Sequence, residues 1–352
     1  MKKNKYYILS ALLILVSIQF GCLKKADVLP QVSADNRPIL TILKNNYAFS
    51  MLYGALQRTG LDKTLEGNGP FTLLAPDNDA FNNSGITADS LAKIDTATLK
   101  KLIGYHIIKA DIPYNAIPQA IDFPYQSLAG PAVYFSVPQT QTGAQTVHIN
   151  GVTVKKLDVQ AVNGYIIVLN KVLYYPAGSV KAILEGNPRY SFFTKALKKF
   201  GLFDQLDKTG PFTIMAPSND AFLQNGMDET AINALDTVNY KKFLFSAYIL
   251  SPYKFFVSDL TDAPLGNTAV PGVVTPDFIQ VTNPGNGPNP ATYGLFSLDW
   301  KAIQYYQLPP YYGNAYIYGP AVQIDEPDHL ALNGIVHGLN GIVMPVDSAR
   351  IH

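Results

Sequence analysis

A chain of 352 residues, 47% hydrophobic and 15% charged, has the composition of a globular protein long enough for two or three domains. Its formal net charge of +1 gives no basic footprint of the kind that nucleic-acid binding needs, and a single cysteine excludes an internal disulfide.

The chain opens with Lys2, Lys3 and Lys5, followed by an apolar run of 13 residues at 8–20. That run is shorter than the roughly 20 residues a spanning helix needs and matches the apolar region of a secretory signal peptide, so residues 1–21 read as an export signal. It ends at Gly21-Cys22, which resembles a bacterial lipobox: cleavage before the cysteine leaves its thiol to carry diacylglycerol. Gln19 stands where that pattern usually has Leu. Cys22 is the expected lipidation site, and a lipid anchor in a bacterial cell envelope, at the outer membrane, is the expected localisation. Without residues 1–21 the chain has 24 basic and 26 acidic residues, a net charge of −2. Residues 22–37, with Pro30, Ser33 and Asn36, lack a period and read as a tether. No second stretch is apolar for long enough to span a membrane.

A helical pattern starts near Pro38. Leu40, Leu43, Phe49, Leu52 and Leu56 recur at three- and four-residue spacings, and Gly60 is a natural stop. Residues 69–81 then read Gly-Pro-Phe-Thr-Leu-Leu-Ala-Pro-Asp-Asn-Asp-Ala-Phe. Pro70 launches an extended segment, 71–75 reads as a strand buried on both faces, and Pro76 ends its pairing. Asp77, Asn78 and Asp79 suit a turn or helix cap, and Ala80 and Phe81 return an apolar anchor to the core. Residues 210–222 repeat this stretch with 10 of 13 positions identical, so the chain is a duplication. Phe49 aligns with Tyr190 at the same offset of 141, and the second copy's helix carries Phe192, Phe193, Ala196 and Leu197 before Gly201.

Two short helical segments follow in the first copy, with Asp95-Thr96 capping the second. Leu99, Leu102, Ile103, His106 and Ile107 fall on one face of that helix, which Pro113 closes. In the second copy Asp236-Thr237 leads into Phe243, Leu244, Ala247 and Tyr248. Strand-like stretches come next, at 133–137, 147–149, 152–154 and 166–173, with Asn150-Gly151 as a hairpin turn. The closing Asn163-Gly164 recurs as Asn333-Gly334 at an offset of 170, so about 29 extra residues lie in the second copy, within 251–331.

The paired motif, Tyr105-His106 at a helix end, Asn-Gly-x-Val-His337 and Val343-Met344-Pro345 together resemble the fasciclin (FAS1) domain family, across nearly all of the chain after its tether. The resemblance implies an α+β fold, two tandem domains at 38–176 and 178–347, each a β-sandwich wedge flanked by helices. It also implies non-catalytic adhesion, the binding of an extracellular protein or polysaccharide. Two alternatives stay open: a glycan-capture accessory lipoprotein of a polysaccharide-uptake system, and a structural envelope protein packed against a partner lipoprotein.

In some animal members the Tyr-His pair is tied to receptor binding, so Tyr105 and His106 are a candidate site by resemblance. Their place on an apolar face favours a packed, hydrogen-bonded histidine, and His337 reads the same way. Asp77-Asn78-Asp79 lacks the glycine of a calcium loop, and no metal or cofactor is expected. No hydrolase elbow, zinc-protease helix or phosphate loop is present, so no catalytic residue is assigned. The strongest binding candidate is the aromatic, Pro-rich stretch inside the insertion: Trp300, Tyr305, Tyr306, Tyr311, Tyr312, Tyr316 and Tyr318. Rigid rings with polar tips suit protein surfaces and sugar rings alike. The alternative is that they pin a long loop to the domain beneath it.

Overall fold

The computed structural model describes residues 36–137, 146–176, 178–238, 243–251, 254–262, 279–282, 292–298, 302–308, 316–317 and 322–343. Residues 1–35, with Cys22, lie outside the described residues, as do Trp300, Tyr311, Tyr312 and Tyr318.

The first copy begins with helices α1 (Ile39–Lys44) and α2 (Ser50–Thr59). The sequence predicts one continuous helical pattern here. Asn46 divides it, because its side-chain oxygen accepts from the Ala48 amide at 3.0 Å and restarts the chain through a short 3₁₀ turn, Tyr47–Phe49. Gly60 ends α2 in the left-handed region, as expected. The motif supplies strand β1 (Phe71–Pro76) and helix α3 (Asn78–Asn83), followed by α4 (Ala88–Lys93) and α5 (Thr96–Gly104). Asp95 caps α5 through the Thr98 amide at 2.9 Å.

Six further strands complete the first sheet: β2 (Ile107–Ile108), β3 (Phe123–Gln126), β4 (Ala132–Ser136), β5 (His148–Ile149), β6 (Val152–Ala161) and β7 (Gly164–Leu169). Their order is β2-β1-β7-β6-β5-β4-β3, with β1 parallel to β7 and every other pair antiparallel. Asn150 and Gly151 both take positive φ in the predicted turn between β5 and β6.

Every residue of β1 is buried, because the strand has cores on both sides. Phe71, Leu73 and Ala75 pack with Leu52, Leu56, Leu99 and Ile103 from the helices. Leu74 turns the other way, to Val133, Phe135 and Ile149 of the sheet's far end. The fold is therefore α+β, a curled mixed sheet filled inside by its own strands and covered outside by helices.

The second copy repeats the plan. Helices α6 (Val180–Gly186), α7 (Ser191–Lys199), α8 (Asn219–Gln224), α9 (Glu229–Ala234), α10 (Phe243–Ser246) and α11 (Val257–Asp262) accompany strands β8 (Phe212–Pro217), β9 (Ile249–Leu250), β14 (Val322–Ala331) and β15 (Gly334–Leu339). Between β9 and β14 come β10 (Ile279–Thr282), β11 (Thr292–Leu298), β12 (Ala302–Leu308) and β13 (Tyr316–Ile317). The sheet runs β10-β11-β12-β14-β15-β8-β9, with β13 on β12 and β15 parallel to β8.

One device recurs identically and holds the ends of each copy together. Asn163, at the β6–β7 turn, accepts the Ile39 amide on its side-chain oxygen at 2.9 Å. Its amide nitrogen donates to the Leu65 and Gly67 carbonyls, both at 2.9 Å, and its own carbonyl accepts the Phe71 amide at 3.0 Å. Asn333 makes the same four bonds to Val180, Leu206, Lys208 and Phe212. The approach is so close that a Cβ on Gly69 would overlap the Asn163 carbonyl, and one on Gly164 would overlap the Phe71 carbonyl. The Gly-Pro and Asn-Gly signatures of the sequence are thus two halves of one latch.

Asn163→Ala leaves the Ile39 amide and two carbonyls without partners, a loss on the order of 3 kcal/mol. Urea unfolding should show it in the first domain's transition, and Asn333→Ala should act likewise on the second. A change below about 0.5 kcal/mol, the level of an ordinary surface substitution, would contradict the latch.

Candidate functional site

The cap and asparagine positions of the repeated motif serve the backbone. Asp77 caps α3 by accepting the Ala80 amide at 2.7 Å, and Ser218 does the same for α8 through Ala221 at 3.1 Å. Asn78 reaches back 27 residues to accept the Met51 amide at 3.1 Å and donates to the Tyr47 carbonyl at 2.9 Å, stapling the start of α2. Asn219 repeats this on α7, with the Phe192 amide and the Pro188 carbonyl, both at 3.0 Å. The sequence identifies these residues as cap formers; the reach of Asn78 across the fold is a long-range fact that local spacing does not contain.

Tyr105 and His106 do not continue helix α5. The His106 amide bonds the Ile103 carbonyl in a tight closing turn, and its carbonyl accepts the Leu74 amide at 2.8 Å, which draws the chain onto the edge of β1 as β2. Both side chains are fully buried and present no surface to a ligand. The Tyr105 hydroxyl donates to the Ala132 carbonyl and accepts from Asn150, each at 2.8 Å, and burial holds it well above the ordinary phenol range. His106 Nδ1 donates to the Leu102 carbonyl at 2.8 Å while Nε2 accepts the Leu173 amide at 2.9 Å. Burial pushes its pKa down to about 4, so the ring is neutral and fully used by the backbone.

The second copy has lost the pair but not the task. The carbonyl of Tyr248 accepts the Met215 amide, as that of His106 accepts Leu74, so the copies correspond here at an offset of 142 rather than 141. The Tyr248 hydroxyl accepts the Val343 amide at 3.0 Å, the bond that His106 Nε2 makes to Leu173. A phenol has replaced an imidazole as the acceptor for the same strand exit. His337 is also buried and neutral: its Nε2 donates to the Phe255 carbonyl at 3.0 Å, Nδ1 accepts the Asp328 amide at 3.1 Å, and burial lowers its pKa to about 4.

Of the aromatic candidates in the insertion, Tyr305 and Tyr306 lie on β12 opposite Leu295 and Gly294, and Tyr316 lies on β13 opposite Gln307. A second difference between the copies escapes sequence reading. Where the first copy has Val168, the second has Gly338, whose missing side chain leaves room for the Tyr190 hydroxyl. That hydroxyl donates to Glu326 at 2.8 Å, while Arg189 pairs with Asp325 and lies 3.6 Å from Glu326. Burial, with the Glu326 bond behind it, raises the Tyr190 hydroxyl pKa. His329 lies 3.8 Å from Glu326, and burial lowers its pKa, so Arg189 supplies the positive charge of a part-exposed polar cluster beside β14. The offset of 170 between the Asn-Gly pairs aligns Gly338 with Val168, but the sequence does not say that the space so opened is filled by Tyr190, 148 residues upstream.

The Fasciclin domain model matches the chain twice, over residues 47–176 and 188–345. Protein sll1483 of Synechocystis is 32% identical over 156 residues, covering 44% of this chain and 82% of that protein. Transforming growth factor-beta-induced protein ig-h3 of Sus scrofa is 28% identical over 194 residues, 54% of this chain and 27% of that protein. Human periostin is 27% identical over 184 residues, 51% of this chain and 20% of that one. The matched region thus spans about a quarter of the pig protein and a fifth of periostin. Among solved structures, a FAS1 domain pair from the insect cell adhesion molecule fasciclin I aligns at a TM-score of 0.37 and 20% identity, covering 86% of this chain and 99% of that one.

The neutral histidines set an acid limit. A buried histidine with pKa about 4 takes a proton far less readily than the unfolded residue at 6.5, so its contribution is complete above pH 6.5 and is lost as pH falls toward 4. The loss is about 3 kcal/mol per histidine. His106→Gln should lower stability at pH 7 and flatten the first domain's decline between pH 6.5 and 4 by that amount. Urea titrations across this range check it, and an unchanged slope in the variant would contradict the assignment.

Proposed function

The chain belongs to the fasciclin domain family, and from that membership we propose that it is a non-catalytic adhesion or binding module for an extracellular protein or glycan. It is held in a bacterial cell envelope, at the outer membrane, by lipid on Cys22. One observation carries the reading: the caps, staples and latch that the two copies have in common are polar side chains occupied by backbone groups. Asp77 and Ser218 cap helices, Asn78 and Asn219 staple helices, and Asn163 and Asn333 close the latch. His106 and Tyr248 anchor the strand exit. A duplicated frame of this kind leaves recognition to what the copies do not share.

What they do not share is concentrated in the second copy. The aromatic segment at 300–318 offers rings with polar tips, the surface chemistry that stacks on sugars and fills protein pockets. Arg189, Asp325, Glu326 and His329 add a part-exposed polar cluster, three of its members on β14.

A screen of the full chain against glycans and extracellular matrix proteins tests the binding role. A ligand should be retained, and Tyr311→Ala with Tyr312→Ala should weaken it about tenfold or more, the scale of losing aromatic anchors. If no ligand is retained, or the double variant binds as well as the parent, the aromatic platform is wrong. Radiolabelled palmitate should enter the wild-type chain in a bacterial host and not Cys22→Ala; label in both, or in neither, removes the anchor.

A further inference from the structure

The two domains meet through a charged cluster that is out of balance. On the first domain, Asp122 sits at the entry to β3, its amide donating to Ser136 Oγ at 3.0 Å. Lys254 of the second domain lies 3.3 Å from the Asp122 carboxylate and over the Tyr134 ring, with both charged side chains largely covered. Ser136 Oγ donates across the boundary to Asp259 at 2.8 Å, and the other Asp259 oxygen accepts the Phe256 amide at 2.6 Å. Asp328, in a bulge of β14, accepts the Val257 amide at 2.9 Å, and its second carboxylate oxygen lies against Gly151 of the first domain's hairpin, 2.6 Å from where a Cβ would stand. Around these lie rings and apolar side chains: Phe256 is 6.3 Å from the Tyr134 ring, and Leu330 packs on the first domain's core.

Three carboxylates therefore meet at the boundary, with Lys254 paired to Asp122 and Lys171 acting on Asp328. The groups facing Asp328 are Asp122, His148 and Lys171 on the first domain, Asp259 on α11 and the neutral His337 on β15. The first domain has the same bulge aspartate, Asp158, which holds the Tyr114 amide at 2.7 Å within its own domain. The duplication thus supplies a matched residue whose carboxylate performs the local task.

We propose that the contact between the two domains is a proton-dependent clamp, closed when the Asp328 carboxyl carries a proton and loosened when it ionises against Asp122 and Asp259. Burial raises Asp328 to about 7, and it raises Asp122 and Asp259 as well. A carboxyl whose docked pKa is raised contributes fully below its free value, near 4, and that contribution is lost as pH rises through 7. The sign is opposite to that of the buried histidines, so the clamp loosens toward alkaline pH while each domain stays folded.

The test is thiol trapping in the full chain with Cys22→Ala. Ser136→Cys places a reactive thiol behind the contact, since Ser136 is 2% exposed. Its labelling rate, divided by that of the unfolded chain at the same pH, reads the opening constant. Between pH 5.5 and 8.5 that ratio should rise roughly thirtyfold, from the two pKa values of Asp328 alone. Asp328→Asn, which keeps the acceptor and mimics the protonated form, should cut the rise at least tenfold. Asp158→Asn should leave it unchanged. A flat ratio in the parent, an equal rise with Asp328→Asn, or loss of the rise with Asp158→Asn each overturns the proposal.

Discussion

Each domain depends on one asparagine. Asn163 and Asn333 are the points where the last turn of a domain meets the start of its first helix, the loop before its doubly buried strand and that strand's first amide. The segments joined lie 124 and 98 residues apart along the first copy, so the bonds close a long loop that no local propensity would close. They also answer the problem of the first helix: α1 begins after Pro38, which offers no side-chain cap, and Asn163 takes its leading amide instead. The glycines beside the latch are there because the two backbones touch. With the latch closed, β1 lies parallel to β7, between it and the edge strand β2, and its alternating residues feed two cores at once.

Much of this was legible in the sequence because it is written locally and twice. The doubly buried strand follows from the mostly apolar stretch of 71–75, the caps from Asp77 and Asp95, the hairpin from Asn150-Gly151, and the helix stop from Gly60. What the sequence withheld is long-range. Nothing near Asn78 says that it serves a helix 27 residues upstream. The helical period carries His106 onto α5, yet the sheet edge takes its carbonyl and the helix ends at Gly104. Strand β3 escaped notice because three of its four residues are exposed and show no apolar alternation. Of the candidate binding residues, Tyr305, Tyr306 and Tyr316 have a described backbone, on strands β12 and β13, and Tyr105 and His106 are buried.

The duplication also shows which bonds the fold insists on and which chemistry it leaves open. The latch is kept residue for residue. The strand exit needs an acceptor, and an imidazole in one copy and a phenol in the other both supply it. Elsewhere charge is exchanged freely: Lys155 pairs with Asp77 in the first copy, where the second has Asp325 paired with Arg189. Between the two copies, therefore, surface charge drifts on a fixed frame. That drift also accounts for the boundary between the domains, where residues free of latch duty bring Asp122, Asp259 and Asp328 together beside Lys254.

Native-state hydrogen exchange measures the central constraint most directly. The amides of Ile39 and Phe71, and of Val180 and Phe212, all end on a latch asparagine. If the latch is what closes each domain, these four amides exchange only by unfolding of the whole domain, with the same free energy as the central residues of β1 and β8. Exchange of Ile39 or Val180 at the rate of a fraying helix end, ahead of those strands, would contradict it.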